Sequence, residues 1–567
     1  MHLLTLLTPF MFYNNLIVSY GFVLKDNNDV KPPPPCENNI YCHGELLHTI
    51  QLAHLFDDSK TFVDKKLIYN PKQTLTNFKD FMKNTNNKPN KTEINMFVKD
   101  NFKDGDELED WIPTDFKSDP EFLKQIDNTT VQKYAKELIS FWPKLARKVK
   151  NEVSINLDHY SFIPVPYGFI VPGGRFREYY YWDSYWVIKG LLLSEMSQTA
   201  RGMIDNFISL VQRYGFVPNG GRIYYLNRSQ PPLLTAMAYS YYKNTNDIEW
   251  IKQNIQYLDK ELQFWLQNRT INIQTLNNNF TAAHYSAESS GPRPESYVED
   301  YNVASQFEDP DKQEQVYMDI KSGAETGWDF SSRWFVDATG NNRGNLSNIN
   351  TRRIIPVDLN AILCGAFKQI AQMYLTIDDL GKAVFWLDKS LQWRKMIKSI
   401  LWDEEDGIWY DFDSKLLKSR KYFYPSSVAP LWMHCYNQKN GFGLGKRVTK
   451  FLESKGIFNY VGGIPTSLEQ TGEQWDFPDA WPPLQDIVVE GLANSGNPEA
   501  KEIAKSLAKK WVNGNILGYI QTGDMYEKYD ALNPGQRGGG GEYIVQTGFG
   551  WSNGVALKFI YDYFRKS

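Results

Sequence analysis

Net charge is almost missing from this chain: 62 Lys and Arg stand against 66 Asp and Glu, a formal charge of −4. That balance excludes a polybasic nucleic-acid binder and argues against holding an anionic membrane by bulk charge. Cysteine is scarce, with four in 567 residues, and there are only seven histidines. His43, His48 and His54 fall at spacings that match no zinc template, so zinc is disfavoured, and no cofactor is expected. There is no Gly-x-Ser-x-Gly elbow and no His-Glu-x-x-His. The run Gly538–Gly541 lacks the Gly-Lys-Ser/Thr ending of a phosphate loop and leads into Glu542, whose charge would repel phosphate. After the first 24 residues no apolar segment approaches membrane-spanning length, and the C-terminus has no hydrophobic tail for a lipid anchor.

Residues 1–24 contain no Lys, Arg, Asp or Glu, and Leu3 to Val23 is largely apolar. The segment reads as a cleaved secretory signal, with an uncleaved anchor as the alternative because a basic start is missing. In a secreted protein Cys36 and Cys42, which bracket a short loop, are placed to pair, whereas Cys364 in the apolar run Ala361–Cys364 reads as a small core residue. Glycosylation sequons occur at Asn90, Asn128, Asn227, Asn268, Asn279 and Asn345; Asn227 adjoins a site motif and is expected to carry no glycan.

Length alone gives a prior of about four domains at about 150 residues each, but the patterning argues for one. Val131, Tyr134, Leu138, Phe141 and Leu145 step by three and four, and so do Ile251, Ile255, Leu258, Leu262 and Trp265. Leu380, Val384, Leu387 and Leu391 repeat the pattern, as do Ile503, Leu507 and Trp511 before an expected stop at Gly514. Sustained period-2 alternation is scarce, and no linker follows residue 36. The expected architecture is all-α: residues 25–567 as a single toroid of helical hairpins with an N-terminal extension.

Aromatics are abundant, with 17 Trp, 34 Tyr and 33 Phe making 15% of the chain. Many fall in loops that also concentrate Gly, Pro, Arg and carboxylates, such as Pro172–Trp186, Pro218–Arg222, Arg228–Pro232, Gly291–Tyr297, Ala324–Trp334, Gln474–Pro483, Tyr526–Asp530 and Gly538–Tyr543. Rings stack on sugar faces, forked side chains bond hydroxyls, and two carboxylates suffice for glycoside hydrolysis. On spacing alone this reading competes with a large protein that merely has many surface carboxylates.

Pro172–Tyr185 and Gln474–Pro483 resemble the two defining signatures of the trehalase family. Arg228-Ser229-Gln230, Arg293-Pro294-Glu295, Gly327-Trp328-Asp329 and Gly538–Tyr543 match that family in the same order, and Cys42–Leu47 resembles its secreted animal forms. The resemblance implies an (α/α)6 toroid that hydrolyses α,α-trehalose with inversion and without metal. It gives Asp329 the general-acid role and Glu527 the general-base role. It makes Arg175, Trp182, Asp183, Asn219, Arg228, Ser229, Gln230, Arg293, Glu295, Gly327 and Glu542 contacts of the substrate. Trp328 should desolvate Asp329 and keep it protonated, while Lys528 should favour an ionised Glu527. Trp475 and Trp481 suit a pocket wall and core packing equally. The glycine run reads as a mobile lid. The expected partner is trehalose alone, with no nucleic acid and no membrane unless the N-terminal segment is an anchor, and the protein is expected to be a secreted monomer. The rivals are another inverting α-glucosidase on the same toroid and a catalytically dead sugar binder.

Overall fold

Helices in this protein sort into two kinds by what surrounds them. The computed structural model describes residues 32–275 and 278–566; the segment read as signal or anchor lies outside these. One set comprises Asp183–Leu193, Leu234–Thr245, Val357–Thr376, Ala429–Trp432, Pro482–Asn494 and Gly550–Tyr563, and most of its positions are buried whichever way they face. A helix apolar all round belongs in an interior, and these six pack side by side in a ring that closes where Gly550–Tyr563 meets Asp183–Leu193. The other set, Thr129–Leu145, Ser197–Tyr214, Ile248–Asn268, Leu380–Met396, Gly441–Ser454 and Pro498–Thr522, alternates with the first along the chain. It forms the outer layer, so the fold is an (α/α)6 toroid.

Strands are short and peripheral, forming six sheets of two or three strands among the described residues. One matters for the site: Asp479–Ala480 pairs antiparallel with Tyr529–Asp530, tying the Trp481 loop to the Glu527 loop. Residues 40–102 build a second, smaller core that takes in Tyr180, Tyr224, Tyr225 and Tyr297 from the toroid's loops. The N-terminal extension therefore packs against the functional end. Gln51 Nε2 donates to the carbonyl of Pro294 at 3.0 Å, and Lys60 pairs with the buried Glu178 at 2.7 Å. No helix among the described residues is long and apolar enough to cross a membrane.

Three local expectations need correction. Leu380, Val384, Leu387 and Leu391 lie in a helix but face outward, each at least 42% exposed. Its inward side is Ala383, Trp386, Ser390 and Trp393, whose indoles donate to Asp259 and Asn360. The helix through Ile503, Leu507 and Trp511 does not stop at Gly514 but runs to Thr522. There Gly518 lies against the loop at Gly535, whose carbonyl oxygen would stand 2.5 Å from a Cβ, so close approach keeps this glycine inside a helix despite its low propensity. Cys364 is buried but not free. It is bridged to Cys435, in the loop just after the neighbouring inner helix, with Cα atoms 5.9 Å apart, while Cys36 and Cys42 are bridged at 5.6 Å.

Candidate active site

The loops at one end of the toroid converge on a tight pocket with a cavity volume of ≈ 80 Å³. Asp329 and Glu527, 198 positions apart in sequence, both line it. So do Arg175, Trp182, Asp183, Asn219, Arg228, Gln230, Arg293, Glu295, Gly327 and Glu542. Ser229 departs from the expectation. It is fully buried behind the wall, its hydroxyl donating to the Val217 carbonyl at 2.6 Å and its N–H to Glu325 at 2.9 Å. It holds the turn that presents its two neighbours.

Gly327 is the residue its position requires. Its φ is +75°, and a Cβ would lie 2.7 Å from the Trp182 indole. The tight fit brings the Asp329 segment against Trp182, whose own N–H donates to Gln230 at 3.1 Å. Behind them Trp475 stacks on Trp481 at 3.8 Å, nearly parallel, and on Trp328 at 5.4 Å. Trp475 and Trp481 thus pack the core and line the pocket at once.

Each pocket arginine is fixed by a carboxylate. Arg175 makes a two-pronged pair with Asp58 of the extension, at 2.8 and 2.7 Å. Arg228 donates to Glu295 at 2.5 Å and to Asn219 Oδ1 at 2.9 Å. Arg293 is gripped by Asp300 at 2.7 Å and reaches Glu542 at 3.0 Å. Arg228 Nη1 and Glu295 Oε2 are buried without a hydrogen-bond partner among the described residues. Such groups are costly unless a ligand satisfies them, and a sugar hydroxyl can do both, accepting from Arg228 and donating to Glu295.

The carboxyls divide by environment. Burial pushes Asp329 up to about 7, with Arg293 opposing and Glu542 reinforcing the rise. Burial likewise pushes Asp183 up to about 8, aided by Glu527 and Asp329, so a neutral Asp183 can donate to a hydroxyl. Glu295 differs: burial opposes its ionisation, but Arg228 and Arg293 outweigh that and hold it below its ordinary range. Glu527 is raised by burial, which corrects the expectation that Lys528 would dominate. Lys528 is fully buried and paired with Asp479 at 3.0 Å. Its charge still lowers Glu527, as do Arg175, the Gln546 N–H and the Tyr543 hydroxyl, which donates to Glu527 Oε1 at 2.7 Å. The sequence reading missed Tyr543, although it lies next to Glu542 in the quoted glycine-run motif. Phe176, Tyr225, Phe549 and Trp551 were missed as well, and all line the pocket.

The run before Glu542 is anchored at its start. The Gly538 N–H donates to the Lys528 carbonyl at 3.1 Å, the Gly539 N–H to Asp479 Oδ1 at 2.8 Å, and Lys528 Nζ to the Gly539 carbonyl. From there it runs past Gly472 and Gln474 and delivers Glu542 and Tyr543 to the pocket. Asn227 is partly buried near this end and its amide donates to Ser289 Oγ at 2.6 Å, a poor place for a glycan.

The sequence pattern of the family described as trehalase matches residues 54–563. A trehalase of Tenebrio molitor is 51% identical over 531 residues, covering 94% of this chain and 96% of its own. A trehalase of Homo sapiens is 45% identical, covering 94% and 90%. Among solved structures the neutral trehalase of Saccharomyces cerevisiae superposes with a TM-score of 0.56 at 23% identity, over 70% of this chain and 74% of its own, a likeness of fold. With matches along nearly its whole length, the chain belongs to the trehalase family.

Proposed function

We propose that this protein hydrolyses α,α-trehalose to two glucose molecules with inversion at one anomeric carbon, Asp329 serving as general acid and Glu527 as general base. The observation that carries the reading is one pocket lined by two buried carboxyls with different hydrogen-bond partners. Asp329 is buried in the pocket, and that burial raises its proton affinity to about 7 against the opposing charges of Arg293 and Arg228. Glu527, though raised too, accepts a hydroxyl and a backbone N–H and faces Arg175 and Lys528. The first suits proton donation and the second proton abstraction. Asp329 passes its proton to the glycosidic oxygen as the bond breaks. Glu527 takes a proton from a water that attacks the anomeric carbon from the far side. Arg175, Arg228, Arg293, Asp183, Asn219, Gln230 and Glu295 hold the hydroxyls of the two rings.

The stereochemical outcome tests the mechanism. Trehalose joins two α-anomeric carbons through one oxygen, so inversion at one carbon releases one β- and one α-glucose. Proton NMR in the first minutes, before mutarotation, is expected to show the anomers in equal amounts. Initial α-glucose alone would mean retention and remove the base role from Glu527. Glucose release from trehalose but not maltose separates this reading from the α-glucosidase rival; binding of trehalose without glucose would favour the dead sugar binder.

The same pair sets the pH profile. Asp329 must keep its proton and Glu527 must lose one, so kcat/KM is expected to be bell-shaped. The acid side falls as Glu527 protonates, and the alkaline side falls as pH passes about 7 and Asp329 ionises. A rate that climbs steadily past neutrality would refute Asp329 as the acid. We also propose a secreted location: all four cysteines are bridged, as suits an oxidising compartment.

A further inference from the structure

Arg175 owes its place to Asp58, which belongs to the N-terminal extension and touches none of the reacting groups. The Asp58 carboxylate takes both Arg175 Nε and Nη2, and is itself steadied by the Lys60 N–H at 2.9 Å. So held, the guanidinium lies 4.7 Å from the centre of the Tyr543 ring and 5.3 Å from that of Phe176. Tyr543 in turn packs edge-on against Phe176 at 5.4 Å. From this cradle the Tyr543 hydroxyl reaches Glu527 Oε1 at 2.7 Å. A second thread starts from the main chain of the same residue: the Arg175 backbone N–H donates to Gln546 Oε1 at 2.8 Å, and the Gln546 backbone N–H donates to Glu527 Oε2 at 3.2 Å. Both oxygens of the base are therefore bonded by residues that contact Arg175.

We propose that Asp58 is a positioning residue for the general base: by clamping the Arg175 guanidinium against Tyr543 it fixes the hydroxyl donor that orients Glu527. The proposal rests on Glu527 being the base. It gives the N-terminal extension a task in the reaction beyond packing. A misplacement of about 1 Å can cost about 100-fold in rate, and the hydroxyl donor at stake favours the ionised carboxylate that a base requires.

The groups facing Glu527 are Tyr543, Lys528 and Arg175, with Asp183 across the pocket. Lys528 is committed to Asp479 and does not depend on Asp58. Loss of the clamp should thus be read through Tyr543. The experiment compares the whole protein with Asp58→Asn, Asp58→Glu, Tyr543→Phe and the Asp58→Asn/Tyr543→Phe double variant, measuring kcat/KM on trehalose against pH together with thermal melting. Asp58→Asn is expected to lose up to about 100-fold in kcat/KM and to move the acid limb upward in pH, as Tyr543→Phe does. Asp58→Glu should recover part of both. The double variant should be no worse than the worse single, because the two act in one chain. An acid limb that stays put in Asp58→Asn, or a double variant showing the full product of the two losses, overturns the proposal; a lowered melting temperature with an unmoved limb would make Asp58 a mere tether. Should Asp58→Asn not fold, Arg175→Lys carries the test, since it keeps the charge for Asp58 but loses the fork and flat face, and its acid limb must also rise. A parent protein that releases no glucose from trehalose refutes the hydrolase reading and this proposal together, whereas an active parent with unmoved limbs refutes this proposal alone.

Discussion

Asp329→Asn and Glu527→Gln are each expected to lose about 10²–10⁴-fold in kcat, the usual worth of a positioned proton-transfer group, while the fold persists. Both substitutions preserve shape. Asparagine retains the outline of a protonated aspartic acid but has no acidic proton for the leaving oxygen. Glutamine can still accept the Tyr543 hydroxyl but cannot take a proton from water. Glucose release measures the loss, and turnover near that of the parent in either variant sinks that assignment. Stability moves the other way for Asp329. Its folded-state proton affinity is raised to about 7, so its favourable contribution is full below the unfolded value and disappears as pH rises through about 7. Asn carries no such dependence. Asp329→Asn is therefore expected to melt no lower than the parent above neutral pH, which a pair of thermal scans would check and which separates lost chemistry from lost folding.

What could be read from the sequence follows from where water is. Thr129–Leu145 and Ile248–Asn268 each have one wet face, and their apolar positions were legible at helical spacing. Inner helices such as Pro482–Asn494 are buried around most of their girth, so no periodic contrast marks them. Leu380–Met396 misled for a different reason. Its two inward tryptophans lie seven apart and are flanked by small Ala383 and Ser390, so the more regular leucine stripe was left outside. The Cys364–Cys435 bridge joins positions 71 apart, and nothing local in either segment announces the other. In the site the motifs supplied most lining residues, because Gly, Trp, Arg and carboxylates cluster in few loops. They could not supply pairings. That Arg175 answers to Asp58, or that Ser229 turns away behind the wall, depends on chain geometry beyond any motif.

Arg333 shows the same limit. It stands four residues after Asp329 in a loop rich in site residues, yet it points away from the pocket and is wholly buried. Its guanidinium lies between Trp328 and Trp334, 4.6 and 4.5 Å from their ring centres. It makes two-pronged pairs with Asp358 at 2.8 and 2.7 Å and with Asp411 at 2.7 and 3.0 Å. Those carboxylates also cap backbone groups, Asp411 accepting from the Val357 N–H at 2.9 Å at the start of an inner helix. One arginine thus fastens the segment carrying Asp329 to the inner ring. Its replacement by Met keeps the length and the apolar stem but strands two carboxylates in the interior. Breaking a buried pair by removing one partner costs about 3–5 kcal/mol, so Arg333→Met is expected to lower unfolding stability by that order, as read from denaturant midpoints at unchanged slope. The deficit should be larger in alkaline than in acid buffer, because a proton can neutralise a stranded carboxylate only when protons are plentiful. Replacing Asp358 and Asp411 by Asn in the same chain should return part of the loss by removing the uncompensated charge. A deficit below about 1 kcal/mol, the scale of an exposed ion pair, would mean that water reaches this cluster and that the Asp329 loop is held by its tryptophans alone.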